Sequence, residues 1–157
     1  MKIPLSLPDI GNSEKKIALE ILNSLWLTHG KYNVKFEKAF ANYIGCKYAV
    51  SLNSCTSALE VSLKALGIKK GDDVIVPSFT WVASANSIVT VGANPIFCDS
   101  DIQTRNVRAS DIEKVITKKT KAVMIVHYGG QACNMDEILK ITKKRKIHLI
   151  EDSAETI

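Results

Sequence analysis

Residues 121–128 read KAVMIVHY, and residues 147–152 read IHLIED. Both runs are apolar at consecutive positions rather than alternating, as strands are when both faces of their sheet are covered. DDVIVP (72–77) and PIFCD (95–99) repeat the pattern, and the segments between these runs carry helical spacing. NSCTSALEVSLKALG (53–67) is a polar turn leading into a helix closed by Gly67. WVASANSIVTVG (81–92) is a helix ended by Gly92, residues 110–116 form a short helix with Ser110 as its cap, and Asp136 to Lys144 is another. Strand and helix in alternation predict an α/β fold, a mostly parallel sheet between two layers of helices.

Upstream, Ile17, Ile21, Leu22 and Leu25 recur at helical spacing, so a helix is expected from Ser13 to Leu25, capped by Asn12 or Ser13. A second helix is expected over 34–43, with Phe36, Phe40 and Tyr43 on one side and Gly45 ending it. YAVSL (48–52) reads as a further short strand.

The chain has 157 residues, one ordinary domain by length, with 46% hydrophobic and 24% charged residues. No apolar run suffices to span a bilayer, and the N-terminus lacks the apolar core of a signal peptide. The net charge is +5, much of it from Lys118, Lys119, Lys121, Lys143, Lys144 and Lys146. A solvated surface accounts for these lysines. A nucleic-acid patch would want interleaved aromatics, which they lack; an anionic small substrate also suits a basic protein. Cys46, Cys55, Cys98 and Cys133 form no CxxC pair and no histidine stands at metal-ligand spacing, so reduced thiols in a cytoplasmic protein and no metal are expected.

Parallel sheets bind ligands beyond the carboxyl ends of their strands. Asn53 to Ser57 follow YAVSL, Ser78 to Trp81 follow VIVP, His127 to Gln131 follow MIV, and Glu151 to Glu155 follow HLI. These loops are expected on one rim. Ser54, Cys55, Thr56 and Ser57 open a helix, where free N–H groups and the helix dipole favour a phosphate; ordinary N-capping explains the same residues. No P-loop or GxGxxG accompanies them. Trp81 is either a core aromatic or a platform for a planar ring. Asp152 is either a cap or surface acid, or the partner of a protonated ring nitrogen at a pocket floor. His127 is better read as a satisfied strand-end histidine than as a catalytic base. Taken together, a phosphate cup, an aromatic face and an aspartate on one rim match the needs of pyridoxal phosphate, whose protonated ring draws electrons from a substrate carbanion.

Residues 26–88, GANPIFCD (92–99), TKAVMIVHYGGQACNMDEI (120–138) and HLIEDSAETI (148–157), in this order, resemble the DegT/DnrJ/EryC1/StrS sugar aminotransferases, within the fold-type I pyridoxal-phosphate enzymes. The resemblance covers essentially the whole chain. It implies a cytoplasmic homodimer with active sites shared between subunits, working in deoxysugar and polysaccharide biosynthesis. The family's reaction moves an amino group, commonly from glutamate, to a keto group on a nucleotide-linked deoxysugar. It implies that Thr56 and Ser57 bind the cofactor phosphate, Trp81 stacks on the pyridine ring, Asp152 pairs with the ring nitrogen and Glu155 lies near the ring hydroxyl. Ser54, Cys55, His127 and Gln131 are further candidates for lining the site.

Relatives often carry His or Gln at position 155; glutamate there is shared with some perosamine-synthase-like members. Gly129 departs from a tyrosine found in some members. The resemblance also divides the chain into an N-terminal helical segment (1–30) and the front of an incomplete large domain (31–157). The Schiff-base lysine, the remaining strands and the C-terminal small domain are expected beyond Ile157, and the lysines present sit in surface helices and loops. A sugar dehydratase of the same family, which has histidine at the lysine position, is the nearest alternative. A noncatalytic remnant or split-gene partner is the other.

Overall fold

The computed structural model describes residues 7–157. Two compact units divide the chain, the first ending at Ser51 and the second running from Leu52 to Ile157. The expected boundary at residue 30 falls inside the first unit.

The first unit holds α1 (Asn12–Asn23) and α2 (Lys31–Ile44). The cap of α1 is Gly11, not Asn12 or Ser13: the helix starts one residue early, and Glu14 reaches back to accept from the Gly11 N–H at 2.7 Å. α2 begins a turn before the expected start because Asn33 Oδ1 accepts from the Gly30 N–H. Gly45, at φ 76°, closes it in the left-handed conformation that glycine adopts without penalty. Phe36 and Phe40 pair, with ring centroids 5.8 Å apart.

The expected strand at 48–52 is absent. The Ser51 N–H donates to Glu37 Oε1 at 2.8 Å, where a strand would have given it a backbone acceptor. Extended residues without a ladder partner make no strand.

In the second unit the elements run α3 (Cys55–Ala65), β1 (Asp73–Pro77), α4 (Val82–Thr90), β2 (Asn94–Cys98), α5 (Ala109–Val115), β3 (Thr120–Val126), a 3₁₀ turn (Tyr128–Gly130), α6 (Met135–Arg145) and β4 (His148–Asp152). The four strands form one parallel sheet in the order β2-β1-β3-β4. The two central strands are the apolar runs, and their side chains alternate between two cores. Val74, Val76, Ala122 and Met124 pack with Leu59 and Leu63 of α3 and Ile88 of α4. Ile75, Val123 and Ile125 pack with Ile112 of α5 and Ile138 of α6. The result is a three-layer α/β/α arrangement, as the continuous apolar runs predict.

Ser110 does not cap α5. The N-cap is Arg108, with no side-chain cap bond; Ser110 lies inside the helix and Arg108 Nε instead donates to Asp111 at 2.6 Å. Among the described residues, no helix is long and apolar enough to cross a membrane.

From β1 the chain passes through α4 to β2 on one side of the sheet, and from β3 through α6 to β4 on the other. β1 and β3 are neighbours whose onward connections diverge to opposite faces. Such a reversal leaves a crevice at the strands' carboxyl ends.

Candidate functional site

A cleft of about 500 Å³ opens at that crevice. Cys55, Thr56 and Leu59 of α3, the Phe79–Thr80–Trp81 turn, Val126 and Tyr128 at the end of β3, and Asp152, Ala154 and Glu155 after β4 line it. The loops after β1, β3 and β4 thus converge on one rim with the start of α3.

Asp152 forms the floor. It ends β4, is 5% exposed, and its carboxylate accepts three hydrogen bonds. Ser84 Oγ donates to Oδ2 at 2.8 Å, while the Ala154 N–H at 3.2 Å and the Cys55 thiol at 3.5 Å donate to Oδ1. Among the described residues, no lysine or arginine lines the cleft. Burial, and then the Asp152 charge, push the Cys55 thiol above its ordinary pKa.

Trp81 is not a core aromatic. It occupies the N-cap position of α4 and is 80% exposed, on the cleft wall. Phe79 and Tyr128 pair at 4.9 Å between centroids, both lining the same cleft. At the start of α3, Ser54 is the N-cap: its Oγ accepts from the Ser57 N–H and donates to Ser57 Oγ. Ser54 and Ser57 are therefore engaged in the cap and stand outside the cleft lining, whereas Thr56 lines it. The N–H groups of Cys55 and Thr56, in the first turn, have no intrahelical acceptor.

Glu155 lines the cleft, and its carboxylate accepts from the Gly129 N–H. Gly129 and Gly130 both take positive φ, and a Cβ at Gly130 would stand 3.3 Å from the Glu155 carbonyl oxygen. This tight turn needs both glycines.

His127 is buried and outside the lining. Its Nδ1 accepts from the Cys133 N–H at 3.2 Å, so the proton sits on Nε2, which donates to Glu151 at 2.9 Å. Both nitrogens are engaged, the satisfied strand-end histidine expected from the sequence. Gln131 also stands outside the lining; its carbonyl accepts from Asn106 Nδ2 at 2.8 Å.

Sequence reasoning missed Ser84 and Asn106. Asn106, buried, clamps the loop after β3 by also accepting from the Tyr128 N–H. No local pattern marks Asn106; Ser84 had a faint one, a hydroxyl on the buried face of α4.

The DegT/DnrJ/EryC1/StrS aminotransferase family model matches residues 8–157. A GDP-perosamine synthase from Caulobacter vibrioides is 43% identical over 99% of this chain and 42% of its own length. The aminotransferase from Psychrobacter cryohalolentis superposes with a TM-score of 0.93 at 37% identity, over 98% of this chain and 40% of that one. A GDP-4-keto-6-deoxymannose-3-dehydratase, solved with a trapped PLP-glutamate geminal diamine, superposes with a TM-score of 0.92 at 33% identity, over 99% of this chain and 42% of that one. The chain spans about two fifths of the length of each. It belongs to the DegT/DnrJ/EryC1/StrS aminotransferase family.

Proposed function

We propose that the chain is the cofactor cradle of a pyridoxal-phosphate-dependent sugar aminotransferase that acts on a nucleotide-linked keto-deoxysugar with glutamate as amino donor. The observation that carries this reading is Asp152, a buried carboxylate on the floor of an open cleft that accepts three hydrogen bonds and meets no cation among the described residues. Such a group fits a protonated ring nitrogen. The exposed indole of Trp81 and the first N–H groups of α3 fit a flat ring and a phosphate on the same cofactor.

When bound, pyridoxal phosphate supplies an electron-withdrawing ring beside the carbon that gains or loses the amino group. This chain's residues supply the setting. Thr56 and the start of α3 bind the phosphate, Trp81 orients the ring, Asp152 keeps a proton on the ring nitrogen, and Glu155 stands by the ring hydroxyl. Ser57 contributes by holding the cap that presents Thr56. The anchoring lysine belongs to sequence outside these 157 residues. The working unit is a cytoplasmic homodimer.

GDP-perosamine synthase relatives at 43–46% identity support a GDP-linked sugar, and the GDP-4-keto-6-deoxymannose-3-dehydratase neighbour supports a 4-keto-6-deoxy one, as substrate. The likeness to the dehydratase favours a second reading, removal of a sugar hydroxyl with the same cofactor. For the longer protein, mass spectrometry after incubation with GDP-4-keto-6-deoxymannose and glutamate separates the two: aminotransfer gives an amino sugar and 2-oxoglutarate, dehydration a deoxy product. For this chain the test is titration with pyridoxamine phosphate, followed by tryptophan fluorescence. The amine avoids the adducts that an aldehyde would form with surface lysines. Saturable quenching that disappears in Trp81→Phe supports the cradle; no binding refutes it.

A further inference from the structure

We propose that Ser84, backed by Thr80, is a positioning residue that fixes the Asp152 carboxylate and sustains its charge, an inference that rests on the ring-nitrogen role of Asp152. Ser84 lies in the first turn of α4, fully buried. A buried hydroxyl without a partner is costly, and Ser84 Oγ has two, Asp152 Oδ2 and Thr80 Oγ1, each at 2.8 Å. Distance alone leaves the second bond without a direction. The first supplies it. An ionised carboxylate only accepts, so the single Ser84 proton goes to Asp152. Thr80 must then donate to Ser84.

The result is a directed chain, Thr80 to Ser84 to Asp152, in which each bond polarises the next. It starts at the cleft wall, where Thr80 is a lining residue, and ends at the floor.

Two features make this more than a satisfied serine. The titratable groups around the cleft are Cys55 on α3, Tyr128 after β3 and Glu155 after β4; His127, at the end of β3, turns its ring to Glu151. None is a cation aimed at Asp152, and among the described residues Ser84 is the sole donor to Oδ2. Trp81 and Ser84 are also three residues apart at the start of one helix, which places the ring platform and the carboxylate's holder on one rigid element.

The test uses pyridoxamine phosphate with the wild-type chain, Ser84→Ala, Thr80→Val and the rescue variant Ser84→Thr. Affinity is read by fluorescence, and the ring-nitrogen protonation of the bound amine by its ultraviolet absorbance against pH. In Ser84→Ala the protonation midpoint should fall by about one pH unit and affinity by roughly tenfold. Thr80→Val should show a smaller shift in the same direction, and Ser84→Thr should restore the wild-type midpoint. A merely structural serine would leave the midpoint where it is.

Wild-type binding with an unchanged midpoint in Ser84→Ala overturns the positioning role and leaves the cradle reading intact. No wild-type binding overturns both. If Ser84→Ala does not fold, Thr80→Val decides: a lowered midpoint supports the directed chain, and an unmoved one sinks it.

Discussion

Replacing Asp152 with asparagine keeps the shape of the side chain and removes its charge, and the surrounding hydrogen bonds dictate how it will sit. The Ala154 N–H cannot reverse its direction, so the asparagine carbonyl must take the place of Oδ1. The amide NH₂ then faces Ser84, whose hydroxyl turns to accept it and passes its own proton to Thr80. Every buried group keeps a partner, so the cost to folding is about 1 kcal/mol. The cleft is affected more. A pyridinium N–H that met a carboxylate now meets another donor, with the loss of a charge-assisted bond worth about 1.5–3 kcal/mol. That corresponds to a dissociation constant for pyridoxamine phosphate raised roughly 10- to 150-fold. Fluorescence titration measures the affinity, and thermal melting by circular dichroism shows that the fold persists. A folded Asp152→Asn chain with unchanged affinity would refute the ring-nitrogen role and the reasoning behind it.

Trp81→Ala should weaken pyridoxamine phosphate binding by about 1 kcal/mol, roughly fivefold, with the melting temperature unchanged because the indole is exposed; unaltered calorimetric affinity would remove its role as a platform. Alkylation of Cys55 by iodoacetamide, followed by peptide mass spectrometry, should accelerate only at higher pH than for a free cysteine, because burial and the Asp152 charge both disfavour the thiolate. Asp152→Asn removes that charge, which raises the thiol's pKa, while the asparagine carbonyl still accepts from the thiol, so the profile should move to lower pH; a profile that stays put would mean that the two groups are uncoupled. His127→Phe leaves the buried Cys133 N–H without its acceptor and should cost about 1–3 kcal/mol in urea unfolding; wild-type stability would show that the histidine is not needed to satisfy that loop.

The sheet was legible because its central strands have only one way to be buried. Val74, Ile75 and Val76 are consecutive and apolar, so neighbours face opposite sides, and both sides need a helix layer to cover them. YAVSL has the same composition and forms no strand. Composition reports what a segment buries well; pairing depends on a partner, and Ser51 has a glutamate side chain instead. The helix starts misjudged at α1 and α5 share a cause. Serine or asparagine in the right place is a frequent cap, but at α1 Glu14 folds back to accept from the Gly11 N–H, and at α5 the N-cap falls on Arg108, whose side chain pairs with Asp111 and caps nothing.

In the site, the residues that follow strands were legible, because the fold rule places strand ends on one rim whatever their side chains are. Trp81, Asp152 and Glu155 reached the cleft on that rule, whereas Thr56 lines it from the start of α3 although the strand expected before it does not form. Ser57 was read correctly as a helix-start residue, but the alternatives of cap and phosphate ligand are separated only by where its hydroxyl points. Ser84 obeys no strand-end rule, and it meets Asp152 across 68 positions of sequence. Its segment still carries a trace of that contact. Ser84, Ser87 and Ile88 are spaced by three and four and all are buried, so hydroxyls occupy the stripe that a helix normally fills with hydrocarbon. Ser87 meets its need locally, by donating to the Ser84 carbonyl at 2.8 Å. Ser84 instead gives its proton to a carboxylate on another element, so the pattern marks a hydroxyl in need of an acceptor without saying whether that acceptor is local or distant. The parallel register that brings the end of β4 beside β3 decides that it is Asp152.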